Sequence, residues 1–471
     1  MKKLGFILVV VILAQSCKMG KNYKGTELEI YNDYHYKDTS LVLNVDTVNT
    51  DTLVADSLFE LDFYSIFNDP NLDTLVKTAL TYNQDLLIAS ENVIQAQYQI
   101  GIQRADLLPG IGYQAGAQRG NTFQGIPSSA TTSVFTGFGT VSWELDIWGK
   151  IRRLTEAAKA DYFGSIENYR GAKISLATTV ADVYFSLLEN KARLEISYKT
   201  LALRDSMLNI INERFYKGYI AEIDVSQARI QRAIAAGSIP DIERRIALNE
   251  HLLSVLTGQL PSQIDAYSNL YDQDTSLVIP AGLPSDLLTR RPDIIAAEQG
   301  LVAQNAIVGA AQANRFPSLN LTGLLGVAST ELSEFTSGPV AWNISGSLLG
   351  PLFNWNKLKR QVDVEKSRRV QAVYNYERTV ITAFQEVEDA LVSITLLKKE
   401  LEARQEHVDA ALRAQTLSQE RYSQGVTSYL EYLESQRQAF EAQQNYAGTK
   451  ALLLSTYAQL HKGLGGSWTQ E

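Results

Sequence analysis

Apolar residues recur along this chain with two different periods, and the order in which the periods alternate is itself repeated. Over 72–106 they fall three or four apart, with Leu75, Ala79, Leu86 and Ala89 on one stripe. That spacing predicts an amphipathic helix, ended by Pro109-Gly110. The segments 111–118 and 135–145 then alternate, with Tyr113, Phe138 and Trp143 among them. They predict two strands joined by a polar loop over 119–133. Next, 150–216 holds no proline and spaces Val180, Leu187, Leu194, Leu201, Leu208 and Phe215 seven residues apart, as in a helix lying along a partner. At 1.5 Å per residue that helix is a rod of roughly 100 Å. Gly218 ends it, and a helix over 222–256 returns antiparallel.

The same succession comes back about 207 residues later. Asp85, Gly101 and Pro109 recur as Asp293, Gly309 and Pro317, and Trp148-Gly149-Lys150 recurs as Trp355-Asn356-Lys357. Glu213-Arg214-Phe215-Tyr216-Lys217-Gly218 recurs as Glu420-Arg421-Tyr422-Ser423-Gln424-Gly425. The second copy predicts a helix over 286–314, strands over 319–327 and 340–349, a heptad rod carrying Val380, Val387, Ile394, Leu401, Val408 and Tyr422, and a return helix over 428–460. A period this long marks two equivalent halves rather than a solenoid. We read 70–258 and 286–462 as the repeats, 259–285 as the linker between them and 463–471 as a tail.

Strands of about 9 to 11 residues are long enough to cross a bilayer at the tilt of a barrel. Four of them cannot close a barrel, and an open sheet edge is not tolerated in hydrocarbon. If they span a membrane, several copies must share one barrel, and three copies would supply twelve strands, an even number in the known range. The rods suit a conduit across a periplasm, although sustained heptads also fit a coiled-coil scaffold.

The N-terminus points to the same compartment. Lys2 and Lys3 precede an apolar run over 4–13 and then Ala14-Gln15-Ser16-Cys17. The run is too short to span a bilayer, so 1–16 reads as a secretory signal. Cys17 is the only cysteine, and its position resembles the acylated residue of a bacterial lipoprotein; the other reading is an ordinary signal peptide with an incidental cysteine. A single cysteine permits no internal disulfide and no cysteine-based metal site. Residues 17–69 read as a lipid anchor and an extended leader rich in Asp, Thr, Asn and Tyr.

Composition adds exclusions. The chain is 45% hydrophobic and 20% charged with a net charge of −9, a balance that disfavours nucleic acid. No apolar run long enough for a spanning helix is evident after the signal. His35, His251, His407 and His461 are scattered without ligand spacing, so no metal site is expected. Met1, Met19 and Met207 do not suggest a soft-metal relay. Neither a phosphate loop nor a nucleophile elbow is present, and we expect no enzyme activity and no cofactor beyond a covalent lipid on Cys17.

Several stretches resemble one family. Phe67-Asn68-Asp69-Pro70-Asn71-Leu72, Leu283-Pro284-Ser285-Asp286-Leu287-Leu288-Thr289-Arg290-Arg291-Pro292-Asp293-Ile294, Phe316-Pro317-Ser318-Leu319 and Glu144-Leu145-Asp146-Ile147-Trp148-Gly149-Lys150 are similar to the outer membrane factors. These are TolC-like channels, and the likeness is to the lipoprotein branch serving RND-type efflux pumps. It implies a mixed, mainly α fold: a long α-helical coiled-coil barrel continued by a transmembrane β-barrel, four strands per chain and twelve in a homotrimer. It also implies an outer membrane location, a periplasmic adaptor, an inner membrane RND pump that supplies the energy, and passive export of small molecules such as drugs or metal ions. An ABC-driven protein exporter is the alternative within the family, and a pore-free periplasmic scaffold lipoprotein the alternative outside it.

The resemblance also assigns residues. The tips Lys217, Gly218, Tyr219, Gln424, Gly425 and Val426 would contact the adaptor. Asp224 and Tyr422 match positions of the network that holds the periplasmic gate shut, and Thr427 stands where some relatives carry arginine. Glu431 and Glu434 match acidic positions that ring the narrowest point, where a threefold ring of carboxylates favours cations. The residues alone leave a second role open, because Ser428-x-x-Glu431 is also a capping box and Asp224 sits where an acid favours a helix start.

Overall fold

The computed structural model describes residues 18–25, 67–123, 126–264, 268–275, 287–336 and 338–466. Cys17, most of the leader and Leu283 to Asp286 of the family-like stretch lie outside the described residues. The elements are α1 (Pro70–Tyr82), α2 (Gln84–Ala105), β1 (Gly110–Phe123), β2 (Ile126–Leu145), α3 (Lys150–Tyr216), α4 (Glu222–Leu256), α5 (Leu287–Arg290), α6 (Pro292–Ala313), β3 (Ser318–Ser329), β4 (Val340–Leu349), α7 (Lys357–Ser423) and α8 (Tyr429–Gly463). Both rods are 67 residues long. The chain divides into two units, one built on Glu91–Glu167 and Ile295–Thr379, the other on Asn168–Ile294 and Val380–Glu471.

The first unit holds one antiparallel sheet in the order β1-β2-β3-β4. Its register sorts side chains by face. Tyr113 pairs with Gly139, Gly139 with Leu325 and Leu325 with Trp342, while Ile111, Val141, Gly323 and Ile344 form the next row of the same face. Tyr113 is 91% exposed and Trp342 72%. The opposite face carries Gly110, Ser142, Thr322 and Ser345 in one row, with the Thr322 and Ser345 hydroxyls 2.7 Å apart. One face is therefore apolar and largely exposed, while the other is mostly polar, with Phe138 and Leu324 as apolar exceptions, and among the described residues β1 and β4 each leave one edge unpaired. This is the side-chain alternation of an antiparallel sheet whose two faces meet different surroundings.

At the base of the sheet Asp146 caps α3, accepting from Ile151 N at 3.0 Å and Arg152 N at 2.9 Å. Trp148 stacks on Phe316 at 4.7 Å and donates to Pro317 O at 2.8 Å, so two of the family-like stretches meet here. Gly149 adopts φ 75°, and its counterpart Asn356 takes φ 63°, the left-handed region that asparagine tolerates best after glycine. Contrary to the expectation from sequence, one later helix, α6, is long and apolar enough to cross a bilayer. Its apolar face is used inside the unit, where Ala303 and Ala306 pack on Ala157 and Ala160 of α3.

The second unit shows how helices are joined end to end. The expected continuous helix over 72–106 breaks at Asn83. The Asn83 side chain accepts from Leu86 N at 3.0 Å and donates to Leu256 O, the carbonyl end of α4, at 3.0 Å. The helix expected over 286–314 breaks at the equivalent position, Arg291, whose Nη1 donates to Gly463 O at the end of α8 at 3.0 Å. Arg291 is buried and also binds Asp293 and Glu386, each at 2.7 Å. In each half, a side-chain donor at the break receives the unpaired carbonyls of the returning helix. Gly258 (φ 73°) lies so close to Tyr82 that a Cβ there would sit 2.3 Å from the Tyr82 carbonyl oxygen.

Asp69 organises the start of α1. Its buried carboxylate accepts from Asn71 N at 2.9 Å, Tyr184 Oη at 2.7 Å, Ser268 Oγ at 2.9 Å and Gln273 Nε2 at 2.9 Å. Linker and rod are thereby tied to the stretch Phe67 to Leu72. One further expectation is corrected: the polar segment 119–133 is mostly strand, because β1 runs to Phe123 and β2 begins at Ile126, with a bulge between Gly120 and Thr122. Small and β-branched residues there extend a ladder that polarity alone read as loop.

Arg291→Ala removes a charge-assisted bond and strands two carboxylates, whereas Asn83→Ala removes neutral bonds only. The first is expected to cost about 2–3 kcal/mol and the second about 1 kcal/mol. Thermal melting followed by circular dichroism should rank them in that order, and an equal shift would contradict the joint as described.

Candidate functional site: the paired helix turns

Both rods end in the same hydrogen-bonded turn. Gly218 (φ 78°) donates to Phe215 O at 2.8 Å and Tyr219 N to Arg214 O at 2.9 Å; Gly425 (φ 74°) donates to Tyr422 O at 3.1 Å and Val426 N to Arg421 O at 3.0 Å. The bond from the residue after the glycine reaches back five positions, closing a Schellman motif that satisfies the orphan carbonyls. A left-handed residue is needed in each turn, and space for a Cβ is open, so the restriction is conformational. The turns present Tyr219 at 76% exposure and Val426 at 64%.

Behind the turns α3, α4, α7 and α8 converge on one buried cluster of Met207, Ile211, Val225, Ala228, Tyr422, Tyr429, Tyr432 and Leu433. Tyr422 stacks on Tyr432 at 5.9 Å and 10° and meets Tyr429 at 5.7 Å. The Arg214 guanidinium lies 4.8 Å from the Tyr422 ring centroid, a cation–π contact. Burial, helped by the neighbouring Tyr422 and Tyr432, pushes the Tyr429 hydroxyl up to about 12. Burial also raises Tyr422, with Arg214 opposing and Asp224 adding to the shift. All three phenols therefore stay neutral.

Asp224 and Glu431 occupy equivalent positions in the two halves, as do Arg214 and Arg421. In the second half the pair closes: Arg421 Nη1 donates to Glu431 at 3.0 Å, and the Thr427 hydroxyl donates to the same carboxylate. In the first half it does not. Asp224 is a methylene shorter, Arg214 is drawn over the Tyr422 ring, and no ion pair to Asp224 forms among the described residues. Nor does the Tyr422 hydroxyl reach Asp224 within one chain. The acidic residue nonetheless acts on both Tyr422 and Tyr429 through its field.

Glu434 is paired too. Arg437 donates to it at 2.6 and 3.0 Å, and the Arg437 bonds, then the Gln438 amide, hold its carboxyl at about 2. Ser428 caps α8, accepting from Glu431 N at 3.3 Å, so the serine half of the expected capping box is present, while the Glu431 carboxylate accepts from Arg421 and Thr427. Asp224 makes no such cap; it lies in the first turn of α4, after the residue Ala221 that occupies the cap. Sequence reasoning named the acids and missed Arg214, Arg421, Arg437, Tyr429 and Tyr432. The doubled Arg-Glu spacing across the turn was the available signal for the first two.

These features define a long-helix protein with an amphipathic four-stranded sheet in one unit and paired turns in the other. The family model described as outer membrane efflux protein matches residues 75–259 and 283–466, and the chain belongs to that family. It is 34% identical over 418 residues to the probable efflux pump outer membrane protein TtgC of Pseudomonas putida, covering 88% of this chain and 86% of that one. It is 29% identical over 469 residues to the cation efflux system protein CusC of Escherichia coli, covering 98% of each. Among solved structures, the open-state MtrE outer membrane channel of Neisseria gonorrhoeae superposes with a TM-score of 0.83 at 29% identity, over 96% of this chain and 98% of that one.

Two predictions follow from the tip. Since Tyr422 acts through its ring, Tyr422→Phe should leave tip stability within about 0.5 kcal/mol of the parent, while Tyr422→Ala should cost about 3 kcal/mol; limited proteolysis at the turns reads the difference, and a Phe variant as labile as the Ala variant would refute it. The Glu434–Arg437 pair is complete above the ordinary carboxylate range and is lost only as pH falls toward about 2. Between roughly pH 7 and pH 4 the ion selectivity of Glu431→Gln should therefore change no more than that of the Glu431→Gln, Glu434→Gln double variant, and an additional drop near roughly pH 4.5 in the single variant alone would show that Glu434 titrates normally.

Proposed function

We propose that this protein is the outer membrane exit duct of a tripartite RND-type efflux pump. The observation that carries the reading is the sheet: one face of exposed Tyr113, Ile111, Leu325, Trp342 and Ile344, the other mostly polar with Thr140, Ser142, Thr322 and Ser345, and two open edges among the described residues. Such a sheet is stable in lipid only when copies close it into a barrel. Three chains of four strands supply twelve, so the working form is a trimeric barrel continued by the rods.

The internal repeat supports how copies meet. Val302 and Ala306 of α6 pack on Ala157 of α3 inside the chain. Their counterparts in the other copy of the repeat are Ile94, Tyr98 and Val364, all exposed. The α3 and α6 packing is thus a template for α7 of one chain against α2 of the next. Cys17 carries the lipid that holds the chain to the outer membrane, and the turns bearing Tyr219 and Val426 receive a periplasmic adaptor, which links the duct to the inner membrane pump. Small molecules such as drugs or metal ions pass through it passively, and the tip carboxylates set its preference for cations.

Planar bilayer recording of the purified protein tests the reading. Discrete, cation-selective openings are expected, with selectivity lowered in the Glu431→Gln, Glu434→Gln double variant and raised when Arg421 and Arg437 are replaced by Gln, because each arginine neutralises one carboxylate. Absence of conductance in every tip variant would instead favour a pore-free scaffold.

A further inference from the structure

Arg153, in the first turn of α3, is 1% exposed, and neither of its two longest-range bonds is to a carboxylate. Nε donates to Met19 O at 2.8 Å and Nη2 to Gly20 O at 2.5 Å, while Nη1 binds Glu156 at 2.9 Å. A buried guanidinium thus grips two successive backbone carbonyls of an extended segment more than 130 residues away in sequence.

The segment fits this grip closely. Met19 N donates to Trp148 O at 3.2 Å, Asn305 Nδ2 donates to Lys21 O at 3.0 Å, Tyr23 Oη donates to Glu298 at 3.3 Å, and Lys18 pairs with Glu156. Burial alone would raise the Glu156 carboxyl, but Lys18 and Arg153 beside it hold it below the usual carboxylate range. Gly20 takes φ 85°, and a Cβ there would lie 2.8 Å from Gly309 Cα; a Cβ on Gly309 would lie 2.8 Å from Arg153 Nε and 2.9 Å from Met19 O. Two glycines are therefore needed for the backbone to come within reach of the arginine. The grip spans both repeats, with Arg153 on α3 and Asn305 and Gly309 on α6.

The residue that precedes Lys18 in the sequence is Cys17. We propose that Arg153 and Gly309 form a clasp that fixes the mature N-terminus, and with it the acyl group on Cys17, to the base of the sheet, so that the lipid acts as a positioned anchor and not as a free tether. An anchor joined through a flexible leader would restrain only the distance of the sheet from the bilayer. One held through Lys18 to Tyr23 sets the level at which β2 passes into α3, and so favours insertion of the sheet at one depth. This rests on acylation of Cys17; the clasp itself does not.

Hydrogen exchange of full-length protein, followed by mass spectrometry over 18–25, tests the clasp. Exchange at Met19 should be slow in the parent and in Cys17→Ser, and about tenfold or more faster in Arg153→Ala, the scale of one lost charge-assisted bond. Gly20→Ala, which replaces no helical residue, should match Arg153→Ala. Equal protection in the parent and both clasp variants would overturn the clasp. The anchoring role is read separately, from the fraction of chain inserted in outer membranes. Arg153→Ala should lower that fraction with acylation intact by mass, and the Arg153→Ala, Cys17→Ser double variant should be no worse than Cys17→Ser alone. A further loss in the double variant would show that Arg153 supports only the fold. An unmodified Cys17 in the parent would overturn the anchor while leaving the exchange result to stand on its own.

Discussion

A helix that ends inside a protein leaves its last carbonyls without partners, and this chain has to end two helices against the start of two others. It solves the problem twice at the same repeat position. Asn83 donates to Leu256 O and Arg291 donates to Gly463 O, each at 3.0 Å. Without those donors the joint would bury unpaired carbonyls, each costing about 1–3 kcal/mol, and the short helix could not be placed end to end on the returning one. In each half the residue at the helix break is thereby fixed to the carbonyl end of the returning helix. Arg291 does more than Asn83, reaching Asp293 and Glu386 as well, which gives the Arg-Arg-Pro-Asp stretch a physical meaning.

The rods, the return helices and the second pair of strands were legible in the sequence to within a few residues. Their signals are strong: a proline-free heptad run, a glycine where the helix must turn left-handed, and strict alternation in β4. The joints were less legible. Asn83 sits in a pattern that reads as unbroken helix, and only the arrival of α4 in space makes a break favourable there; Arg291 precedes Pro292, which disfavours helical backbone at Arg291, and that local signal was passed over. The polar stretch before β2 was misread for a related reason, since Gly, Ser and Thr extend a ladder as readily as they form a loop. The apolar helix α6 escaped notice because its alanines are small, and their use is visible only in the close packing against α3.

At the tip the acids could be named from sequence but not their partners. An arginine and an acid stand across the turn in both halves, yet only Arg421 and Glu431 meet; Arg214 is held instead over Tyr422. The two matched positions differ by one methylene, Asp224 against Glu431, and only the first half has its arginine held over the tyrosine cluster. That difference places the closed pair in one half and a field-coupled carboxylate, Asp224, in the other.

The proposed duct rests on a chain that presents an exposed apolar sheet face and, among the described residues, two open edges. Native mass spectrometry of the complex extracted from outer membranes is the most direct test. The account requires three copies of the chain in one assembly, so that four strands each close a barrel of twelve. A stable, lipid-embedded single chain, or an even-numbered assembly such as a dimer, would contradict it.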